Sequence, residues 1–233
     1  MYCIAFIVHH ISQLSQHHTF RLSQSLFQSK VSPQSQSVMA GTSKPVYKLR
    51  SVLQGHSMDV KQVSLVSEPS GAVLTASRDR TARLWYPQQD NTYNVRKVYQ
   101  GHPKYVSCVA FQESSEEFPS GLIYTGCQDG KIRAFLPDVE EPLFQLEGHA
   151  ENVTSIFVGT FGTLISGSWD CTAKVWINRK CTMTLSGHSF ALWAVAILPE
   201  VGVMITASAD KLIKLWKAGV NTHTLSGQYQ VTI

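Results

Sequence analysis

Residues Gly148 to Trp176, GHAENVTSIFVGTFGTLISGSWDCTAKVW, decide the fold of this chain. The stretch opens with Gly-His, and apolar and polar residues then alternate in TSIFV, TLISGS and TAKVW. A period of two is typical of β-strands with one buried face, so the stretch predicts three short antiparallel strands joined by turns. A meander of this size cannot bury both of its faces, and it therefore needs neighbours of the same kind.

Copies of the same unit supply those neighbours. Gly-His recurs at 55–56, 101–102, 148–149 and 187–188, followed by a decayed Gly227-Gln228, at intervals of 46, 47, 39 and 40 residues. Each of the four intact units also has a Ser or Thr four residues before an Asp, and an aromatic residue six residues after that Asp. A period near 40 residues is typical of a WD-repeat β-propeller. The predicted fold class is all-β, with about four blades of an expected seven, near 55–100, 101–147, 148–186 and 187–227.

The recurring polar residues predict a buried hydrogen-bonded network inside each blade. A hydrolase triad is the alternative interpretation, because His149, Ser166 and Asp170 occur together in one unit. A triad is needed once, whereas this set recurs at constant spacing, so we favour the structural interpretation and predict no catalytic residue. Phe135 replaces Trp in the second unit and cannot donate a hydrogen bond, so a shortened network is expected there. The predicted network residues are His56, Thr75, Asp79, Trp85, His102, Thr125, Asp129, Phe135, His149, Ser166, Asp170, Trp176, His188, Thr206, Asp210 and Trp216.

Composition narrows the classes of function. The 233-residue chain has a net charge of +4, and the repeats contain no Lys/Arg block, so a nucleic-acid partner is not indicated. The nine His are spread over separate units and the N-terminal segment, so no metal or other cofactor is predicted. Five Cys without a C-x-x-C pair indicate a reduced intracellular compartment, and the expected location is the cytoplasm together with the nucleus as a second location. No apolar run reaches the length of a membrane span.

The two ends of the chain differ from the repeats. Residues 1–38 contain 14 Ser or Gln and no acid, which predicts a disordered tail or an over-extended gene model, with a targeting peptide as the alternative. A partial propeller is expected over 39–233, and the alternating residues 46–53 (VYKLRSVL) predict a leader strand. The fourth blade has its own outer strand, so the leader has no blade to complete. We therefore expect a fragment of a longer protein, with an open four-bladed arc as the alternative.

Three stretches are more specific than the general repeat pattern. FGTLISGSWDCTAKVW, CTMTLSGHSFALWAVAILPE and ADKLIKLWKAG include loop residues as well as repeat residues. With them, residues 46–227 resemble the phospholipase A-2-activating protein family, the Doa-type ubiquitin-binding WD-repeat adaptors, which despite the name are not phospholipases. The resemblance implies a seven-bladed propeller that binds ubiquitin, then a second ubiquitin-binding domain and a helical domain that docks on a valosin-type AAA ATPase.

The function implied by this resemblance is that of a non-enzymatic adaptor or scaffold in ubiquitin-dependent protein degradation and sorting. Docking on the ATPase belongs to domains that these 233 residues do not include, so it is not carried over. A signalling scaffold with another protein partner is one alternative. A truncated product without stable function is another.

A partner is expected at the mouth of the propeller, lined by residues three and five after each Gly-His histidine and by the residue before each network Asp. Trp169 and Trp193 belong to adjacent blades and should lie side by side, although packing between blades is an alternative for Trp193. Ubiquitin presents an apolar patch ringed by basic residues, which would suit Trp169 with Asp59 nearby. The predicted partner-binding residues are Asp59, Arg78, Tyr105, Asn152, Trp169 and Trp193, within a lining that also includes Lys61, Ser107, Gln128, Thr154, Ala191 and Ala209.

Overall fold

The computed structural model describes residues 48–67, 69–199, 201–217 and 220–226. In this part of the chain, sixteen strands form four separate antiparallel sheets of four strands each. Each sheet is one blade, and the described blades do not close a ring. The predicted fold class, an incomplete all-β WD-repeat propeller, is confirmed. The segment 1–38 lies outside the described residues.

Each blade consists of consecutive strands joined by hairpins. Blade 1 comprises β1 (Val60–Val66), β2 (Ala72–Ser77), β3 (Ala82–Pro87) and β4 (Tyr93–Tyr99). Blade 2 comprises β5 (Val106–Gln112), β6 (Leu122–Cys127), β7 (Ile132–Phe135) and β8 (Phe144–Leu146).

The other two blades repeat this order. Blade 3 comprises β9 (Val153–Val158), β10 (Leu164–Ser168), β11 (Thr172–Ile177) and β12 (Lys180–Ser186), with a 3₁₀ turn at Thr160–Gly162. Blade 4 comprises β13 (Leu192–Leu198), β14 (Val203–Ser208), β15 (Leu212–Lys217) and β16 (Val220–Ser226). No helix in the described part of the chain is long and apolar enough to cross a membrane.

The hydrophobic core lies between successive blades. The first strand of each blade packs on the second strand of the blade before it, and close approach there requires small residues. A Cβ atom at Gly126 would lie 2.9 Å from Val153 Cγ1, and one at Gly167 would lie 2.8 Å from Val195 Cγ1. Glycine at these two positions therefore allows blades 2 and 3 to receive the valines of the blades that follow them.

The turn between the second and third strands has the same left-handed backbone conformation in all four blades. The residue after each network Asp has a positive φ: 66° at Arg80, 80° at Gly130, 67° at Cys171 and 71° at Lys211. The left-handed conformation is unfavourable for non-glycine residues, so the turns of blades 1, 3 and 4 need hydrogen bonds that stabilise it. The network Asp supplies that stabilisation.

The structure differs from the prediction of a leader strand at 46–53. Residues 48–53 form no strand, and the remaining two residues of the prediction lie outside the described residues. Leu49 and Val52 are 85% and 63% exposed, so the alternating side chains do not face a core. The pattern predicted a strand, but each of the four sheets already has its own fourth strand, and no sheet takes these residues as a fifth.

Candidate functional site

The predicted network is complete in blades 1, 3 and 4. The His Nδ1 lies 2.7–2.8 Å from an Asp Oδ2, the His Nε2 lies 2.7–2.8 Å from a Ser or Thr hydroxyl, and that hydroxyl accepts a 2.8 Å hydrogen bond from the Trp Nε1–H. Trp can only donate, so the hydroxyl donates its own hydrogen bond to Nε2, and the Nδ1–H donates to the carboxylate. The sets are His56, Thr75, Asp79 and Trp85; His149, Ser166, Asp170 and Trp176; His188, Thr206, Asp210 and Trp216.

The carboxylate of each network Asp also fixes the strained turn. In blade 1, Asp79 Oδ2 accepts the backbone N–H of Ser57 at 3.1 Å, and Oδ1 accepts the Thr81 backbone N–H at 3.0 Å and its hydroxyl at 2.6 Å. Burial alone would raise the pKa of Asp79, but the hydrogen bonds from Thr81, His56 and Ser57 lower it to about 2. The pKa values of Asp170 and Asp210 are lowered for the same reason, so these turns depend on ionised carboxylates.

Blade 2 departs from the pattern further than the sequence predicted. His102 Nε2 bonds to Thr125 at 2.8 Å, but Nδ1 is buried without a hydrogen-bond partner. Asp129 instead forms a 2.7 Å ion pair with Arg133, which is 7% exposed. Burial, together with the charge of Arg133, lowers the pKa of His102 to about 4. Replacing Trp by Phe135 is thus accompanied by the loss of the His–Asp bond as well as the Trp bond.

The set of His149, Ser166 and Asp170 resembles a hydrolase triad but does not have the geometry that catalysis requires. Ser166 is fully buried, and the His149 side chain has no exposed surface. The Ser166 oxygen already accepts a hydrogen bond from Trp176. A substrate carbonyl therefore has no route to this hydroxyl in the structure.

A second recurring residue escaped the sequence analysis. Two residues before the network Asp, a Ser hydroxyl accepts the Asp backbone N–H and donates to a carbonyl in the segment that enters the blade: Ser77 to Met58 at 3.2 Å, Ser168 to Glu151 at 3.1 Å and Ser208 to Phe190 at 2.8 Å. In blade 2 the residue is Cys127, whose thiol donates to the Lys104 carbonyl at 3.4 Å. The constant spacing of Ser to Asp was the signal that could have revealed it.

Backbone hydrogen bonds position the predicted mouth residues in pairs. In every blade, the residue before the network Asp donates its N–H to the carbonyl of the residue three after the His. The pairs are Arg78 to Asp59 at 2.9 Å, Gln128 to Tyr105 at 3.0 Å, Trp169 to Asn152 at 2.9 Å and Ala209 to Ala191 at 2.9 Å. The backbone at the mouth is therefore held by the same hydrogen bond in every blade, and the blades differ there in their side chains.

The residue five after each His lies at an irregularity of the first strand. The pairing of β1 with β2 skips Lys61, and the equivalent pairings skip Ser107, Thr154 and Trp193. A β-bulge redirects the side chain of the extra residue. The Thr154 hydroxyl, at its bulge, donates a 2.7 Å hydrogen bond to the Leu192 carbonyl of the next blade. The Trp193 side chain, at the equivalent bulge, is 41% exposed.

Charged and polar side chains of the mouth form one continuous row in blades 1 and 2. Asp59 and Arg78 form an exposed ion pair at 3.4 Å, and the Arg78 guanidinium lies 5.9 Å from the centre of the Tyr105 ring. Burial raises the pKa of Tyr105, an effect that the charge of Arg78 partly offsets, so the phenol is neutral at physiological pH. These three side chains present a cation, an anion and a hydroxyl to the mouth.

Asn152 is buried, in contrast to its prediction as a partner-binding residue of the mouth. It is 4% exposed, because its Oδ1 accepts a 2.5 Å hydrogen bond from the hydroxyl of Ser107 in the preceding blade. Its amide nitrogen lies 3.5 Å from the Tyr105 hydroxyl. Asn152 thus joins blades 2 and 3, and it has little surface left for a partner.

Trp169 and Trp193 lie side by side at the boundary between blades 3 and 4. Their ring centroids are 6.3 Å apart and their planes are inclined by 78°, an edge-to-face arrangement. Trp169 is half-buried, and its Nε1 is buried without a hydrogen-bond partner. Phe190, two residues after His188, is 61% exposed. The sequence analysis missed it because the residue type at this position differs between blades, where its equivalents are Met58, Lys104 and Glu151. The mouth thus has a charged half and an aromatic half.

No group of three or more His, Cys, Asp or Glu in the described ranges could hold a metal ion.

The blades, their networks and the mouth define a β-propeller of the WD-repeat class. The family model described as "WD domain, G-beta repeat" matches residues 47–86, 93–135, 140–176 and 179–217, and the chain belongs to this family.

Comparison with individual proteins confirms the resemblance found in the sequence. Phospholipase A-2-activating protein of Xenopus laevis is 50% identical over 159 residues, which are 67% of this chain and 20% of that protein. Ubiquitin fusion degradation protein 3 homolog of Caenorhabditis elegans is 26% identical over 203 residues, 83% of this chain and 23% of that protein. The chain therefore spans about a fifth of the length of these relatives.

A solved structure, the WD40 β-propeller domain of Doa1, is similar in fold as well as sequence. It is 34% identical with a TM-score of 0.65, covering 76% of this chain and 58% of that chain.

Proposed function

We propose that this propeller segment is a non-enzymatic ubiquitin-binding adaptor module that acts in ubiquitin-dependent protein degradation and sorting. The observation that carries the proposal is the match of the repeat region to relatives whose names place them in the ubiquitin pathway, such as the ubiquitin fusion degradation protein 3 homolog. The matched region is the propeller itself, so we assign the proposed binding to the propeller.

The aromatic half of the mouth supports this proposal. Trp169 and Trp193 form a partly exposed pair, and exposed Trp is common among residues that dominate the binding energy of protein interfaces. Asp59, 70% exposed, could attract a basic rim around an apolar patch of the kind that ubiquitin presents. In this proposal the tryptophans anchor the partner, and the charged half orients it.

Three further parts of the proposal follow from the sequence. The buried His–Ser–Asp sets act as scaffold, so the segment acts by binding and not by catalysis. The proposed site of action is the cytoplasm, with the nucleus as a second location. The link to a valosin-type AAA ATPase, which the family resemblance implies, is assigned to no residue of this propeller segment.

Titration of the chain with ubiquitin tests the proposal. The wild-type chain should bind ubiquitin, and Trp169→Ala should weaken binding at least about tenfold, as expected for an interface anchor. Val139→Ala provides the control, because Val139 is 44% exposed but lies in the β7–β8 connection, away from the mouth. A wild-type chain that binds no ubiquitin would refute the function. Binding that Trp169→Ala leaves unchanged would refute the site alone.

A further inference from the structure

The connection between the first two strands of blade 2 is longer than the equivalent connections. Residues 113–121 (ESSEEFPSG) join β5 to β6, whereas the shorter segments 67–71, 159–163 and 199–202 serve in the other blades. The segment 113–121, here called the acidic loop, contains three Glu and no Lys or Arg. Because β5 starts beside the mouth residue Tyr105, the acidic loop lies at the end of the blade away from the mouth.

Ser114 in the acidic loop has a sequence context that no other hydroxyl residue of the chain shares. Among the 233 residues, it is the only Ser or Thr with an Asp or Glu three positions later, and that acid is Glu117. Ser114 and Glu117 are both exposed. A protein kinase with a basic peptide-binding site can select such a serine, since opposite charges fix the register in which the peptide binds.

The next residue, Ser115, is held in a tight turn. Its backbone N–H donates to the Phe118 carbonyl at 3.0 Å, and its hydroxyl accepts the Phe118 N–H at 3.1 Å. Ser114 lies just before this turn, and its hydroxyl forms no hydrogen bond to another residue of the described ranges. Of the two neighbouring serines, Ser114 is therefore the one whose hydroxyl is free to react.

A cation of blade 3 binds the acid on which this pattern depends. Arg179, in the turn between β11 and β12, forms an ion pair with Glu117. Its guanidinium also lies 4.6 Å from the centre of the Phe144 ring and 5.7 Å from that of the Phe118 ring. The Glu117 side chain is 67% exposed, and exposed ion pairs are weak. Arg179 therefore restrains Glu117 against blade 3 but can release it to a competing cation.

We propose that Ser114 is a phosphorylation site for a serine kinase with a basic peptide-binding site, and that Arg179 slows the reaction by competing for Glu117. In the transfer, the Ser114 oxygen attacks the terminal phosphorus of ATP, the bond from that phosphorus to the bridging oxygen breaks, and ADP leaves. The hydroxyl proton passes to the catalytic base of the kinase. The product adds a charge of about −1.5 to −2 to the acidic loop. Because this loop lies away from the mouth, the proposal does not depend on ubiquitin binding there.

Incubation of the full chain with Mg²⁺–ATP and a purified kinase that selects an acid three residues after its serine tests the proposal. Tandem mass spectrometry should locate one phosphoryl group on Ser114, and Ser114→Ala should abolish it. An acidic peptide substrate in the same assay shows that the kinase is active. A chain that takes up no phosphate while the peptide does, or that takes it up only at another residue, would overturn the proposal.

Matched charge variants of the loop test the role of the acid. Glu117→Gln should lower kcat/KM for phosphorylation of the chain at least about tenfold, because it removes the charge that fixes the register. Glu113→Gln is the control, since it removes the same charge from the other side of Ser114, and it should have a much smaller effect. Equal losses for the two variants would show that the general charge of the loop, and not Glu117, directs the kinase.

A second pair of variants tests the competition by Arg179. Arg179→Gln releases Glu117 and should raise the rate of phosphorylation above that of the wild-type chain. Lys180→Gln is the control, because this neighbouring cation is exposed and forms no ion pair within the described residues, so its loss should leave the rate unchanged. An Arg179→Gln chain that is phosphorylated no faster than the wild type would refute the competition for Glu117.

Discussion

Asp129 pairs with Arg133 at 2.7 Å and leaves His102, its expected partner, with a buried and unpaired Nδ1. In the other three blades the Asp is hydrogen-bonded to the His, the His to a hydroxyl, and the hydroxyl to a Trp. The ring of Phe135 cannot donate to Thr125, so this chain of hydrogen bonds is broken at both ends in blade 2. Blade 2 therefore has a buried His without a carboxylate as hydrogen-bond partner.

His102 should make the stability of the protein depend on pH. Burial and Arg133 lower the pKa of His102 to about 4, below its ordinary value of 6.5, so the unfolded chain binds the proton more readily than the folded one. Stability from this group is complete above pH 6.5 and falls as the pH drops from there towards about 4. Urea unfolding at several pH values measures this slope.

His102→Gln is the variant that isolates this effect. Glutamine does not titrate, and its amide can replace Nε2 in the hydrogen bond to Thr125. The difference in stability between wild type and variant should therefore shrink as the pH falls through this window. A constant difference would show that another group is responsible for the slope.

The intact networks predict that substitutions of Trp176 and of Phe135 change the stability of the protein by different amounts. Trp176→Phe removes the donor to the buried Ser166 hydroxyl, and we expect a loss of about 1–3 kcal/mol, the usual cost of leaving a buried polar group unpaired. In a domain of this size that corresponds to a fall in melting temperature of about 2–4 °C per kcal/mol. Thermal melting followed by circular dichroism measures it.

Phe135→Trp is the matched control for Trp176→Phe. In blade 3, Trp176 Cη2 lies 3.3 Å from the Cβ position of Gly148, whereas nothing lies within 4 Å of the Cβ position of Gly101 in blade 2. The larger ring therefore has room, and we expect little destabilisation. Equal falls in melting temperature for the two variants would refute the network as the source of stability.

The spacing of the repeats was sufficient to predict the networks, because each blade needs the same donors and acceptors at the same places. His149, Ser166, Asp170 and Trp176 occupy their predicted roles since their partners lie within one repeat. The same reasoning placed Trp169 beside Trp193, because both positions are fixed by the turn geometry of neighbouring blades.

The failures of the sequence analysis all involve contacts that spacing does not encode. Asn152 is buried because Ser107 of the preceding blade happens to face it. Asp129 changes partner because Arg133 can reach it from the adjacent strand. Residues 48–53 alternate like a strand, but alternation does not show whether a free sheet edge lies alongside. Each of these depends on a neighbour that the sequence pattern does not place.

Acid should destabilise the protein in a second window, through the network carboxylates. The pKa of Asp79 is lowered from 3.8 to about 2, so the folded state favours the carboxylate. This contribution is complete above about pH 4 and is lost as the pH falls through about 2. Asp79→Asn should be less stable at neutral pH, because its NH₂ group cannot accept the Ser57 N–H, and its stability should vary less with pH below 4. A variant with the wild-type acid slope would show that Asp79 contributes little to it.

Gly130 should tolerate a side chain poorly, because the next blade packs against it. Its φ is 80°, and a Cβ atom there would lie 2.6 Å from the backbone carbonyl oxygen of His149 in the next blade. Gly162 has a similar φ of 70° but nothing within 4 Å of its Cβ position. Gly162→Ala therefore measures backbone strain alone, about 1–2 kcal/mol, and Gly130→Ala adds a clash that only movement of blade 3 against blade 2 can relieve. We expect Gly130→Ala to lower the urea midpoint at least twice as much as Gly162→Ala, and equal shifts would mean that the contact between the blades is loose enough to admit a methyl group.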